Sequence, residues 1–121
     1  MFKNFVKIVL FLLVFSNFVK AQNANDLYDM GKSALYSGAY STALDYFNQA
    51  LAQQPNYASA LNLRAYTYYL LGDKTNALLD ADNSIRIDPS ISEAYNTKGM
   101  VLLDTKNYQA AIDNFNLATQ W

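Results

Sequence analysis

Residues 40–55, YSTALDYFNQALAQQP, decide the fold, because their small and large apolar residues return downstream at a constant interval. Ala43 returns as Ala77 and Ala111, 34 residues apart each time, and Leu44 returns as Leu78 and Ile112. In the same register Phe47 becomes Ala81 and Phe115, Ala50 becomes Ser84 and Ala118, and Pro55 becomes Pro89. The segment upstream repeats as well: Leu27, Leu61 and Tyr95 align, then Gly31, Ala65 and Gly99, then Ala34, Tyr68 and Leu102. A small residue thus recurs where two helices must approach closely. A period of this length, built from two helical patterns, is the signature of a helix-turn-helix solenoid, in which one repeat cannot bury its apolar face alone and stacking buries it.

These residues resemble the tetratricopeptide repeat family: Gly31, Ala65 and Gly99, the three alanines Ala43, Ala77 and Ala111, Phe47 with Phe115, and Pro55 with Pro89 fall where that family's pattern puts them. The resemblance runs from about Ala24 to Trp121, with repeats at about 24–57, 58–91 and 92–121. It implies an all-α, right-handed helix-turn-helix solenoid of three repeats. The departures are small. Asn25 to Leu27 lacks the family's frequent Trp, Arg64 and Lys98 replace an expected Leu, and Ala81 is small where its counterparts are Phe. Ala81 opposite Tyr68 suggests a large-for-small exchange in the second repeat's core.

The first residues carry Lys3 and Lys7, an apolar run from Ile8 to Phe15, and Val19-Lys20-Ala21 before Gln22. This is the three-part layout of a secretory signal. The stretch between Lys7 and Lys20 is roughly 18 Å of helix against a hydrocarbon core of about 30 Å, too short to span. The expectation is a signal peptide at 1–21, cleaved after Ala21, and a repeat domain at 22–121, exported to a periplasm or secreted from a bacterial-type cell, with no membrane attachment after cleavage.

Removing the signal takes Lys3, Lys7 and Lys20 with it, so six Lys and Arg face ten acidic residues and the formal charge moves from −1 to −4. That balance argues against nucleic acid or anionic lipid as a partner. Without cysteine there is no disulfide framework and no lipid-modified Cys, so the exported domain depends on its apolar core.

Helix punctuation follows the repeat. Asn23 or Asn25 caps the first helix, with Asp26 and Asp29 near the positive end of its dipole, and Gly38 ends it as Gly72 ends its counterpart. Partner helices are expected at about Ser41–Gln53, Lys74–Ile87 behind Asp73, and Asn107 to the chain end; the second repeat's first helix lies near Tyr57–Leu71. Pro55 and Pro89 act as stops, and Ser90 with Glu93 makes a capping box for the third repeat.

Catalytic constellations are scarce. The absence of His and Cys removes the commonest general base, thiol nucleophile and transition-metal ligands. Asp80 and Asp82, two apart on a helix, point about 200° from each other and cannot converge on a metal, so a solvated-surface role is expected for both. No Gly-rich phosphate loop is present, and the four glycines are accounted for by close packing and helix ends. No enzyme activity, cofactor or metal is expected.

The ten tyrosines supply large surfaces with a polar handle. On the first helix of each repeat, a second stripe lies about 100° from the buried Leu27-Gly31-Ala34 stripe. It contains Asn25, Tyr28, Lys32 and Tyr36; then Ser59, Asn62, Tyr66 and Leu70, with Tyr69 at the edge; then Glu93, Asn96, Met100 and Asp104, with Leu103 at the edge. The resemblance implies that this stripe lines a concave groove that holds peptides. The candidate contacts are Tyr28, Lys32, Asn62, Tyr66, Tyr69, Asn96, Met100 and Leu103. For Tyr28, Tyr66 and Tyr69 the plainer alternative is packing against neighbouring helices. Asn62 and Asn96 recur at one repeat position and can each donate to and accept from a peptide backbone.

One function within the resembled family is disfavoured. Its chaperone-tail clamp surrounds a terminal carboxylate with Lys, Arg and Asn, whereas Tyr28, Lys32, Leu63, Glu93 and Thr97 stand at the matching positions, and Glu93 repels a carboxylate. The expected function is an interaction module that binds a protein or peptide segment; the alternative is a structural scaffold piece that stacks on further copies or on a larger repeat assembly. Ile112, Phe115 and Trp121 in the last helix, with no following helix in the sequence, lead to the expectation of self-association or a docked partner at that end, or of a chain cut from a longer array.

Overall fold

The computed structural model describes residues 1–18 and 22–121, the side chains of 11–18 excepted. Among the described residues seven helices follow one another: α1 Phe2–Phe18, α2 Ala24–Tyr36, α3 Tyr40–Gln53, α4 Ala58–Leu70, α5 Lys74–Ile87, α6 Ser92–Asp104 and α7 Tyr108–Ala118. The expected cleavage point at Val19-Lys20-Ala21 lies outside the described residues. None of the described helices is long and apolar enough to cross a membrane.

Helices α2/α3, α4/α5 and α6/α7 pack as antiparallel pairs, and α3 and α5 also pack on the first helix of the next pair. The first helices touch one another, α2 on α4 and α4 on α6, while α3 and α5, and α5 and α7, stay apart. Close inner helices and splayed outer ones curve the stack, so α2, α4 and α6 form its concave side. This is the all-α repeat solenoid that the 34-residue period predicts.

Each hairpin turns in one way. Ala39, Asp73 and Asn107 donate their backbone N–H to the carbonyls of Ala34, Tyr68 and Leu102 at 2.8–2.9 Å, closing the helix end. The residue before each adopts a left-handed backbone: Gly38 at φ +83°, Gly72 at +84°, and Lys106 at +64°. Glycine takes that conformation freely, whereas a side chain there costs about 1–2 kcal/mol. The third turn is therefore strained where the first two are not.

Caps agree in part with expectation. Asn23 accepts from the Asp26 N–H at 2.9 Å, and Asp73 accepts from the Asn76 N–H at 3.1 Å and from its side-chain amide at 2.7 Å. These two bonds hold the Asp73 carboxyl below the usual carboxylate range. The Ser90–Glu93 capping box does not form. Ser90 turns back, its N–H and Oγ both donating to Asp88 Oδ1, and α6 starts behind Ile91 with no side-chain cap. The last helix ends at Ala118, short of Trp121.

The core explains the small-residue column. A Cβ on Gly31 would stand 2.6 Å from Phe47 Cε1, and one on Gly99 would stand 2.6 Å from Phe115 Cε1, so each glycine is the seat of a phenyl ring. Phe47 is fully buried, whereas Phe115, in the last helix, is only half-buried. In the second repeat the same two positions hold Ala65 and Ala81, both fully buried.

Beside that pair lies a correction to the solvated reading of Asp80. Its carboxylate is buried and takes both Arg64 Nε at 2.6 Å and Nη2 at 2.8 Å. Arg64 also reaches Asn48 of the preceding repeat at 3.0 Å and lies over the Tyr68 ring, 5.7 Å from its centroid. One repeat on, Lys98 reaches back to Asp82 at 2.6 Å, an exposed pair. Arg64 and Lys98, which depart from the family pattern, thus tie each repeat to the one before.

Candidate functional site

The concave faces of α2, α4 and α6 enclose two adjoining cavities. One, of about 320 Å³, is lined by Tyr36, Asn62, Leu63, Tyr66, Glu93, Asn96, Thr97 and Met100. The other, of about 380 Å³, is lined by Tyr28, Lys32, Tyr36, Ser59, Asn62, Leu63, Ser90, Ile91 and Glu93. Tyr36, Asn62, Leu63 and Glu93 belong to both, which makes a single groove across three successive repeats.

Six of the eight candidate residues come together here: Tyr28, Lys32, Asn62, Tyr66, Asn96 and Met100. They converge because inner helices one repeat apart lie side by side, so equal phases on α2, α4 and α6 form a continuous strip. Tyr69 and Leu103 do not line either cavity. Tyr69 stacks on Tyr66 with centroids 6.5 Å apart, and Leu103 is exposed beyond the groove. Both sit at the edge of the helical phase, where one residue's rotation of about 100° carries a side chain off the face.

Packing and groove-lining turn out to be compatible for the tyrosines. Tyr28 is half-buried, its ring 5.1 Å from Tyr57 and 6.3 Å from Phe47, and it still lines the cavity wall. Burial, then the neighbouring phenols of Tyr57 and Tyr36 and the carboxylates of Asp29 and Glu93, push the Tyr28 phenol above its ordinary pKa. Tyr66 packs on the cluster of Leu35, Ala43 and Phe47 while facing the groove. Each ring thereby packs on the core while bordering the groove.

The two amides differ. Asn96 is exposed, whereas Asn62 is buried, at 6% exposure, and its Oδ1 is closed off from solvent without a hydrogen-bond partner. The periodicity placed both on one face but carried no information on burial, which depends on Asn62 lying in the central repeat with neighbours on both sides. Tyr36, Leu63, Ile91 and Thr97 complete the walls. Tyr36 was visible in the stripe. Ile91 was not, because it precedes α6 and follows no helical phase.

The groove offers aromatic and thioether surface, amide and hydroxyl groups, and the opposite charges of Lys32 and Glu93. Among the described residues no three Asp, Glu, His or Cys side chains gather as a metal site. Such an arrangement can hold a chain of alternating polar and apolar groups.

Similar proteins share this architecture. The chain is 35% identical over 92 residues to the Protein SGT1 homolog of Bos taurus, covering 76% of this chain and 27% of that protein. It spans about a quarter of the length of the curated SGT1 relatives it matches. The crystal structure of the Sgt2 TPR domain from Aspergillus fumigatus superposes with a TM-score of 0.75 at 28% identity, over 80% of this chain and 64% of that one. The second TPR domain of Spaghetti (RPAP3), bound to the HSP90 peptide SRMEEVD, has the same fold at 22% identity, with a TM-score of 0.77 over 82% of this chain and 92% of that one. Tetratricopeptide repeat models match residues 28–90 and 92–121, and the chain belongs to the tetratricopeptide repeat family.

Proposed function

We propose that the protein is a non-enzymatic interaction module that takes a peptide segment of a partner protein in its concave groove. The observation that carries this reading is the pair of adjoining cavities with aromatic bodies fixed in the core and unspent polar groups facing inward. Anchoring rings supply affinity, and amides fix the register of a backbone. The fold has a precedent for such use in the RPAP3 domain with its HSP90 peptide. The apolar run behind Lys3 and Lys7 supports export from a bacterial-type cell with processing after Ala21.

The test is recovery of a partner from the producing cell's envelope extract by wild type and by the Tyr66→Ala and Asn96→Ala variants, each checked for helical content. Loss of the partner with the fold intact supports the reading; equal recovery contradicts it. The intact mass of exported protein checks the processing, since a chain that begins at Gln22 is expected and one that keeps Met1 contradicts it.

A second reading, stacking on another copy, is favoured by the exposure of Ile112, Leu117 and Trp121. Sedimentation across a concentration series tests it, with association expected and a strictly monomeric species contradicting it.

A further inference from the structure

Three facts about the groove bear on what it holds. Asn62 is the polar side chain shared by both cavities that is buried, and its oxygen has no partner. Leaving such an acceptor unmade costs about 1–3 kcal/mol. The terminal torsion of an amide is broad, so the Asn62 amide can turn its oxygen toward an incoming donor. What it lacks is an N–H or O–H.

The second fact is charge. Glu93 is exposed and borders both cavities, whereas Lys32 borders one. Asp29 lies near Tyr28 of that cavity wall, so Asp29 and Glu93 together outnumber the Lys32 ammonium there. The third is the apolar wall of Tyr66 and Met100, next to Glu93 in the same cavity.

Building on the groove reading above, we propose that the occupant is a segment of a partner protein that sets a Lys or Arg against Glu93, donates an N–H to Asn62, and lays an apolar side chain on Tyr66 and Met100. A cation completes the carboxylate edge and directs the segment's approach, while the N–H removes the cost of the bare oxygen. A segment rich in Asp or Glu meets like charge at Glu93 and is rejected.

The test displays random seven-residue peptides to the immobilised full-length chain. Sequences enriched on wild type are expected to carry Lys or Arg at a fixed spacing from an aromatic or aliphatic residue. The best of them, synthesised with blocked ends, is expected to bind Glu93→Lys at least about tenfold more weakly than wild type. Replacing its basic residue by Glu is expected to restore binding to Glu93→Lys. Acidic or uncharged enriched sequences, or an affinity that Glu93→Lys leaves unchanged, overturn the proposal; if Tyr66→Ala still abolishes their binding, the groove reading stands without it. No enrichment, or binding that survives Tyr66→Ala and Asn96→Ala, defeats the groove reading and the proposal together. Circular dichroism of each variant establishes that it remains folded.

Discussion

The outer repeats and the central one fill the same interior position in different ways. The first and third lay a phenyl ring on a glycine, Phe47 on Gly31 and Phe115 on Gly99. The second places Ala65 and Ala81 there and sets the Arg64–Asp80 pair alongside. The contrast extends to polar groups: among the described residues Asn62, Thr67, Asp80 and Ser84 of the second repeat are buried, against Thr97 of the third. Three of the four have partners, Thr67 on the Leu63 carbonyl, Ser84 on the Ala58 carbonyl and Asp80 on Arg64. Asn62 does not. A central repeat covered on both sides can bury polar groups at its joints, and the one it leaves unpaired faces the groove.

The sharpest break in this comparison is Phe47→Ala, which opens a ring-sized hole over Gly31 and is expected to cost about 3–5 kcal/mol in urea denaturation. Phe115→Ala, at a half-buried ring, is expected to cost about half as much. Equal costs would mean that the third repeat is as closed as the first.

Next comes the ion pair. Arg64→Met leaves the Asp80 carboxylate buried and unpaired, and a loss of about 3 kcal/mol is expected. Adding Asp80→Leu is expected to recover most of it, because two well-packed apolar residues replace a buried pair at little net cost. If the double variant is as unstable as the single one, the pair is irreplaceable in joining Asn48 of the first repeat to the second.

A smaller effect concerns the turns. Lys106→Gly is expected to stabilise the domain by about 1 kcal/mol, since Lys106 holds the backbone conformation that Gly38 and Gly72 hold without strain. A thermal midpoint that falls instead would show that the Lys106 side chain contributes more than its backbone costs.

These differences mark what could be read from the residues alone. The period, the helix pairs, the turn glycines and the shared face of Tyr28, Asn62, Tyr66, Asn96 and Met100 were legible because they depend on phase along one chain. Arg64 and Lys98 were visible as departures from the pattern, yet their targets sit 16 residues away on other helices, so the burial of Asp80 was hidden. The strain at Lys106 could have been found: it stands 34 residues after Gly72, and a helix ends there too. The failed capping box shows the limit of a local motif, since Ser90 had a nearer acceptor in Asp88.

On the proposal above, Asn62 serves binding at a cost to the fold. Urea denaturation of wild type and Asn62→Leu, each with and without the display-selected peptide at about a hundred times its dissociation constant, tests it directly. Wild type is expected to gain about 2.7 kcal/mol from the peptide. Free Asn62→Leu is expected to be more stable than free wild type by about 1 kcal/mol, having lost the unpaired oxygen, and to gain little from the peptide. A variant that is less stable when free and gains as much as wild type would contradict the account.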